Sequence, residues 1–134
     1  MGEIISRFEK KGFKLVAMKF VAPSRDQFIE HYKHRTSFGS EEFYRMIDYM
    51  VSAPVLAMVW EGENVILDGR KLIGVTNPHE SQPGTIRGDF STDITRNVIH
   101  GSDLVEAADE EIALWFSPEE LVDWNHHSND WIFG

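Results

Sequence analysis

The sequence predicts a single α+β domain with few strands and more helices. Three observations carry that expectation. Two apolar runs of strand length stand at 13–20 (FKLVAMKF) and 55–60 (VLAMVW). Between and around them lie amphipathic stretches bounded by helix caps. The 134 residues contain no internal repeat, low-complexity tract or linker, so residues 1–134 read as one domain with a core of its own.

Residues 3–11 read as a helix with Ile4, Ile5 and Phe8 on one face, and Gly12 just past its end is a C-terminal stop. Phe13 to Phe20 alternates as a strand does. Ser24 caps a second helix that ends near Tyr32, and Gln27 completes a capping-box pattern. Residues 34–40 are turn-rich. Glu41 to Met50 is helical, with Phe43, Met46, Ile47 and Met50 at spacings of three and four, and Pro54 follows as a breaker. The unbroken run Val55 to Trp60 predicts a central strand covered on both faces. Asn64 to Ile73 is a short helix closed by Gly74. Val75 to Arg96 holds two prolines and two glycines without a sustained period, and reads as a long functional loop. Ser102 is expected to cap a helix over 103–111, and Ile112 to Phe116 (IALWF) to form a third strand. Trp60, Trp115 and Phe116 are expected in the core.

Composition excludes several classes. No apolar run approaches the roughly 18 residues that span a bilayer. The charged, amphipathic start is not a secretory signal, and cytoplasm is the expected location. Met1-Gly2 with Ser6 fits a myristoylation pattern, but an amphipathic helix accounts for the same residues. With no cysteine, disulfides, thiolate metal sites and cysteine nucleophiles are excluded. A net charge of −9 argues against nucleic acid as a partner. It is compatible with a small anionic ligand if Arg70, Arg87 and Arg96 gather locally.

The densest chemistry is Arg96-Asn97-Val98-Ile99-His100-Gly101-Ser102-Asp103. A helix start offers free N–H groups to phosphate, and a glycine lets the backbone approach closely. His100 there suits a general base, a metal ligand or a phosphate-accepting nucleophile, and the residues by themselves leave these open. No second histidine shares a ligand spacing with it. His31, His34 and His79 read as solvent-facing, and His126-His127 as tail surface.

Asn97-Val-Ile-His-Gly-Ser102-Asp103 resembles the active-site signature of the nucleoside diphosphate kinase family. The likeness extends to Gly2–Lys19, Ala57-Met-Val-Trp-Glu-Gly62, Thr76-Asn-Pro78, Pro83-Gly-Thr-Ile-Arg-Gly-Asp-Phe90 and Leu114-Trp-Phe-Ser-Pro-Glu-Glu-Leu121, all in family order. The tail through Asp130-Trp131 resembles the eukaryotic, hexamer-forming type. The resemblance implies a ferredoxin-like antiparallel sheet covered by helices and a ping-pong phosphotransferase. It moves the γ-phosphate of a nucleoside triphosphate such as ATP to a histidine, then to a nucleoside diphosphate, with Mg carried by the nucleotide rather than by protein ligands.

Carried onto this sequence, the resemblance makes His100 the nucleophile and Glu111 the group that bonds its other nitrogen. Asn97 would meet the sugar. Arg70, Thr76 and Arg87 would hold the phosphates, with Tyr32 and Ser102 beside them. Arg87 between Ile86 and Gly88 is also placed to brace the long loop. The base would lie between Phe43 and Ile94, although the stretch ahead of Phe43 is longer than in the family and the stacking position can also fall on Glu42. Family members open with a strand ending in Lys-Pro-Asp-Gly ahead of the helix that here begins at Gly2, and no such segment occurs in this sequence. That departure supports an alternative expectation. The chain would then be a shortened, weakly active or inactive relative that binds nucleotide or acts as an oligomeric interaction protein.

Overall fold

A computed structural model describes residues 1–34, 38–91 and 98–124. Helix α1 (Gly2–Lys11) ends at Gly12, whose φ of 99° closes the helix with a left-handed cap that glycine adopts without strain. Strand β1 (Lys14–Val21) follows, then helices α2 (Arg25–Tyr32) and α3 (Glu41–Met50). Strand β2 (Val55–Glu61) leads into helix α4 (Val65–Ile73). A short helix α5 (Ile86–Phe90) and the longer α6 (Val105–Trp115) complete the order. None of the helices among the described residues is long and apolar enough to cross a membrane.

β1 and β2 pair antiparallel, with Lys14 opposite Glu61, Val21 opposite Val55 and an irregularity between Leu15 and Ala17. The other side of β1 is met by the residues after α6. Val122 N–H donates to the Val16 carbonyl at 2.8 Å, and the Trp124 indole donates to the Leu15 carbonyl at 2.7 Å. Among the described residues β2 pairs only with β1, and Val55 to Trp60 are all partly exposed. The expectation of a central, doubly covered strand is corrected accordingly. An apolar run reports apolar surroundings on both faces but does not say which edges are paired.

Two clusters form the core. Phe28, Tyr32, Phe43, Met46 and Ile47 join α2 to α3, while Phe8, Phe13, Ile73 and Ile86 join α1, α4 and α5. Of the three residues expected in the core, Phe116 is buried, while Trp60, stacked on Phe8 at 5.3 Å, and Trp115 are half-buried and pack against the two clusters.

Three further expectations change. Ile112 to Phe116 is not a strand: α6 runs through Trp115, with Phe116 as its C-cap. A short apolar run cannot be assigned to strand or helix by hydrophobicity alone, and here Ala108, Glu111, Ile112 and Trp115 share one helical face toward a common cleft. Ser102 does not cap α6, which starts at Val105 with Leu104 at the N-cap position. The capping box on α2 is half made. Ser24 Oγ accepts from Gln27 N–H at 3.2 Å, but the Gln27 amide donates to the Leu114 carbonyl and so ties α2 to the last turn of α6.

Residues 75–91 of the long loop are more ordered than their composition suggests. Pro78–Glu80 forms a 3₁₀ turn, and Thr85 caps α5 by accepting from Gly88 N–H. A β-carbon on Gly88 would lie 2.2 Å from the Gln82 carbonyl oxygen, so only glycine fits this turn. A helix of five residues is too short to show a period in the sequence. Arg7 of α1 anchors the same segment by pairing with Asp89 at 2.8 Å.

Candidate active site

His100 lies in the loop before α6, with its side chain 36% exposed. Its Nε2 is 3.0 Å from Glu111 Oε1, and Ser102 Oγ donates to Glu111 Oε2. An ionised carboxylate only accepts, so Nε2 carries the hydrogen and Nδ1 keeps its lone pair. Desolvation of the half-buried Glu111, the largest single influence, pushes its carboxyl up. Hydrogen bonds from His100 and Ser102, then the charges of His100 and His31, outweigh it and hold Glu111 below the ordinary carboxylate range. The carboxylate is therefore ionised at neutral pH and able to orient the ring.

Tyr32 stands edge-on to His100, with ring centroids 5.2 Å apart. Arg70 of α4 donates to the Gly101 carbonyl at 3.4 Å. Arg87 of α5 is buried and donates to the carbonyls of Gly74 and Ile99 at 3.3 and 2.9 Å. It thus braces the loop on both sides of the site, as its position suggested. Gly101 fits closely here: a β-carbon would lie 2.6 Å from Ile73 Cδ1. Tyr32, Arg70, Arg87, His100, Ser102 and Glu111 all border one cleft of about 680 Å³ that runs along β2.

Not every expected residue joins them. Thr76 is exposed in the bend after α4 and is not on the lining of that cleft. Phe43 is corrected as the base-stacking residue. Its side chain is 1% exposed within the α2–α3 cluster and offers no face to a ligand. An exposed ring on this stretch is Phe38, edge-on to Phe43 at 5.2 Å. Ile94, Asn97 and Arg96, like His126, His127 and the tail at Asp130-Trp131, lie outside the described residues.

The sequence reading missed His31. It is not solvent-facing: its side chain is 7% exposed, Nε2 lies 3.3 Å from Glu111 Oε1, and Nδ1 accepts from the Trp115 indole at 2.7 Å. The available signal was its spacing. Phe28, His31 and Tyr32 sit three and four apart, which puts His31 on the buried face of α2. His34 and His79 are exposed, as expected.

A family model described as nucleoside diphosphate kinase matches residues 1–121. The chain belongs to the nucleoside diphosphate kinase family. It is 58% identical over 134 residues to nucleoside diphosphate kinase 1 of Saccharum officinarum, covering 99% of this chain and 87% of that one. A nucleoside diphosphate kinase of Aspergillus fumigatus is 53% identical over 134 residues, covering 99% and 86%. The solved halophilic nucleoside diphosphate kinase of Halobacterium salinarum, in complex with CDP, superposes with a TM-score of 0.94 at 39% identity over 100% of this chain and 88% of that one. The ferredoxin-like α+β fold expected from the resemblance is thereby established, and the chain is a family phosphotransferase.

One group of potential metal ligands occurs among the described residues: His31, His100 and Glu111. Its hydrogen bonding does not suit a resident ion. A metal on His31 Nε2 would require the ring proton on Nδ1, where the Trp115 N–H already donates.

Proposed function

We propose that the chain transfers the γ-phosphate of a nucleoside triphosphate to His100 and then to a nucleoside diphosphate. The carrying observation is the bond from His100 Nε2 to Glu111, which holds the proton on Nε2 and leaves the Nδ1 lone pair of a partly exposed ring as the nucleophile. In the first half-reaction Nδ1 forms a bond to the γ-phosphorus. The bond from that phosphorus to the bridging oxygen breaks, and the nucleoside diphosphate leaves with the electron pair. In the second half an incoming diphosphate oxygen attacks the same phosphorus and the N–P bond breaks. Glu111 keeps the proton on Nε2 throughout and stabilises the positive charge that the ring gains on attack.

Arg70 and Arg87 border the cleft with guanidinium groups suited to phosphate oxygens. Tyr32 and Ser102 flank the ring, and Thr76 is the further phosphate contact implied by the resemblance. By the same resemblance Asn97 meets the sugar and Ile94 the base. Mg enters as part of the nucleotide substrate and neutralises phosphate charge. The nucleotide assignment is supported by the relative from Halobacterium salinarum, which was solved with CDP. A homo-oligomer, hexameric by resemblance, and a cytoplasmic location belong to the same proposal. Sedimentation and cell fractionation test them.

Incubation with γ-labelled ATP tests the chemistry. Acid-labile label on the protein, absent in His100→Ala and released as labelled triphosphate by added GDP, is the expected result. Label that persists in His100→Ala would overturn the assignment. Label that cannot be chased would restrict the chain to nucleotide binding and a single half-reaction.

A further inference from the structure

We infer that His31 is a positioning residue for phosphoryl transfer: Trp115 fixes it as the Nε2–H tautomer, and that N–H edge keeps the Glu111 carboxylate aligned on His100. This inference rests on the function proposed above. The tautomer follows from donor and acceptor chemistry. An indole N–H only donates, so His31 Nδ1 must accept, and the proton of the neutral ring sits on Nε2. That nitrogen lies 3.3 Å from the same Oε1 that His100 Nε2 meets at 3.0 Å. The two imidazole rings are perpendicular neighbours, with centroids 4.5 Å apart.

Glu111 is thus held from three directions. Ser102 occupies Oε2, while His31 and His100 converge on Oε1. Of these three, only His31 is both nearly buried and anchored from behind. Glu111 and Trp115 lie four residues apart on α6, so one helical face presents both the carboxylate and the donor that orients its neighbour. Gln27 ties the same two helices together one turn along α2. His31 lines the same cleft, but its side chain is 7% exposed against 36% for His100, so its effect should fall on turnover more than on nucleotide binding.

The test uses the whole chain with ¹⁵N-labelled histidine. The wild-type spectrum should show His31 as the Nε2–H tautomer, and Trp115→Phe, which leaves only the Glu111 contact to hold that proton, should weaken the preference measurably. His31→Phe keeps a packed ring but removes both nitrogens. It should move His100 away from pure Nε2–H and slow label transfer from saturating γ-labelled ATP roughly tenfold. Its apparent KM should be unchanged. His31→Gln, which restores a donor, should recover part of the rate. An Nδ1–H signature for wild-type His31 would sink the inference. So would a His31→Phe variant whose His100 spectrum and rate match wild type, or a rate loss that His31→Gln does not relieve. If wild type takes up no label, the proposed function fails while the spectra still decide the role of His31. The wild-type and Trp115→Phe spectra decide it even where His31→Phe does not fold.

Discussion

The two sides of the cleft are built differently. On the helical side, His31 of α2 and Glu111 and Trp115 of α6 are joined side chain to side chain. On the loop side, Arg70 and Arg87 donate to backbone carbonyls at Gly101, Gly74 and Ile99. The first arrangement fixes the protonation and direction of a reactive ring. The second fixes the path of the chain that carries the ring, while keeping guanidinium groups at the cleft wall. A ring that must accept and release a phosphoryl group needs a stable tautomer, whereas its loop needs only a stable position. Among the polar side chains of the site, changes on the helical side are therefore expected to cost mainly rate, and changes on the loop side to cost stability as well.

Glu111→Ala should have the largest effect on rate. Loss of a charged hydrogen bond to His100 should slow label transfer about 10- to 100-fold, read in single-turnover quench experiments. A rate like wild type would remove the distinction between the two sides. Phe43→Ala should cost about 3–5 kcal/mol in denaturant unfolding, since its ring is enclosed by the α2–α3 cluster. A properly folded fraction of that variant should keep the wild-type KM for nucleotide; a raised KM would return Phe43 to the ligand.

Arg87→Met removes the donors to two carbonyls and should destabilise by about 1–3 kcal/mol, together with a raised KM. Unchanged stability would show that the brace is dispensable. Glu111 also predicts a pH dependence. Its folded-state pKa is depressed, so its stabilisation is fully present above its unfolded value of 4.5 and is lost as pH falls through the lower folded value. Stability curves of wild type and Glu111→Gln should therefore converge only in acid, and convergence already at neutral pH would contradict the ionised carboxylate. Ser24→Ala, at the cap that starts α2, should cost about 1 kcal/mol by thermal unfolding, with little change in rate.

The elements written in local pattern were legible. Glu41–Met50 was read to its ends because four apolar residues repeat at helical spacing and Pro54 stops it. Gly12 marked the end of α1 for a conformational reason that any sequence displays. The elements that depend on distant partners were not. Residues 112–115 suit a strand or a helix equally until the cleft beneath them is known, and α5 has too few residues to show its period. At the site, the motif around His100 and the register of Glu111 were legible through the family resemblance. His31 was marked only by its spacing from Phe28 on the buried face of α2, and that spacing does not say that Glu111 and Trp115 meet it there.

By itself the sequence singled out His100 and Glu111 through the family resemblance and showed where most helices begin and end, since caps, periods and motifs act over a few neighbouring positions. Only the tertiary structure decided that Phe43 belongs to the core and that His31 and Trp115, 84 positions apart, share a hydrogen bond behind Glu111. Such contacts depend on which face of α2 meets which face of α6. That choice minimises exposed apolar surface over the whole domain, a balance no short stretch of chain contains.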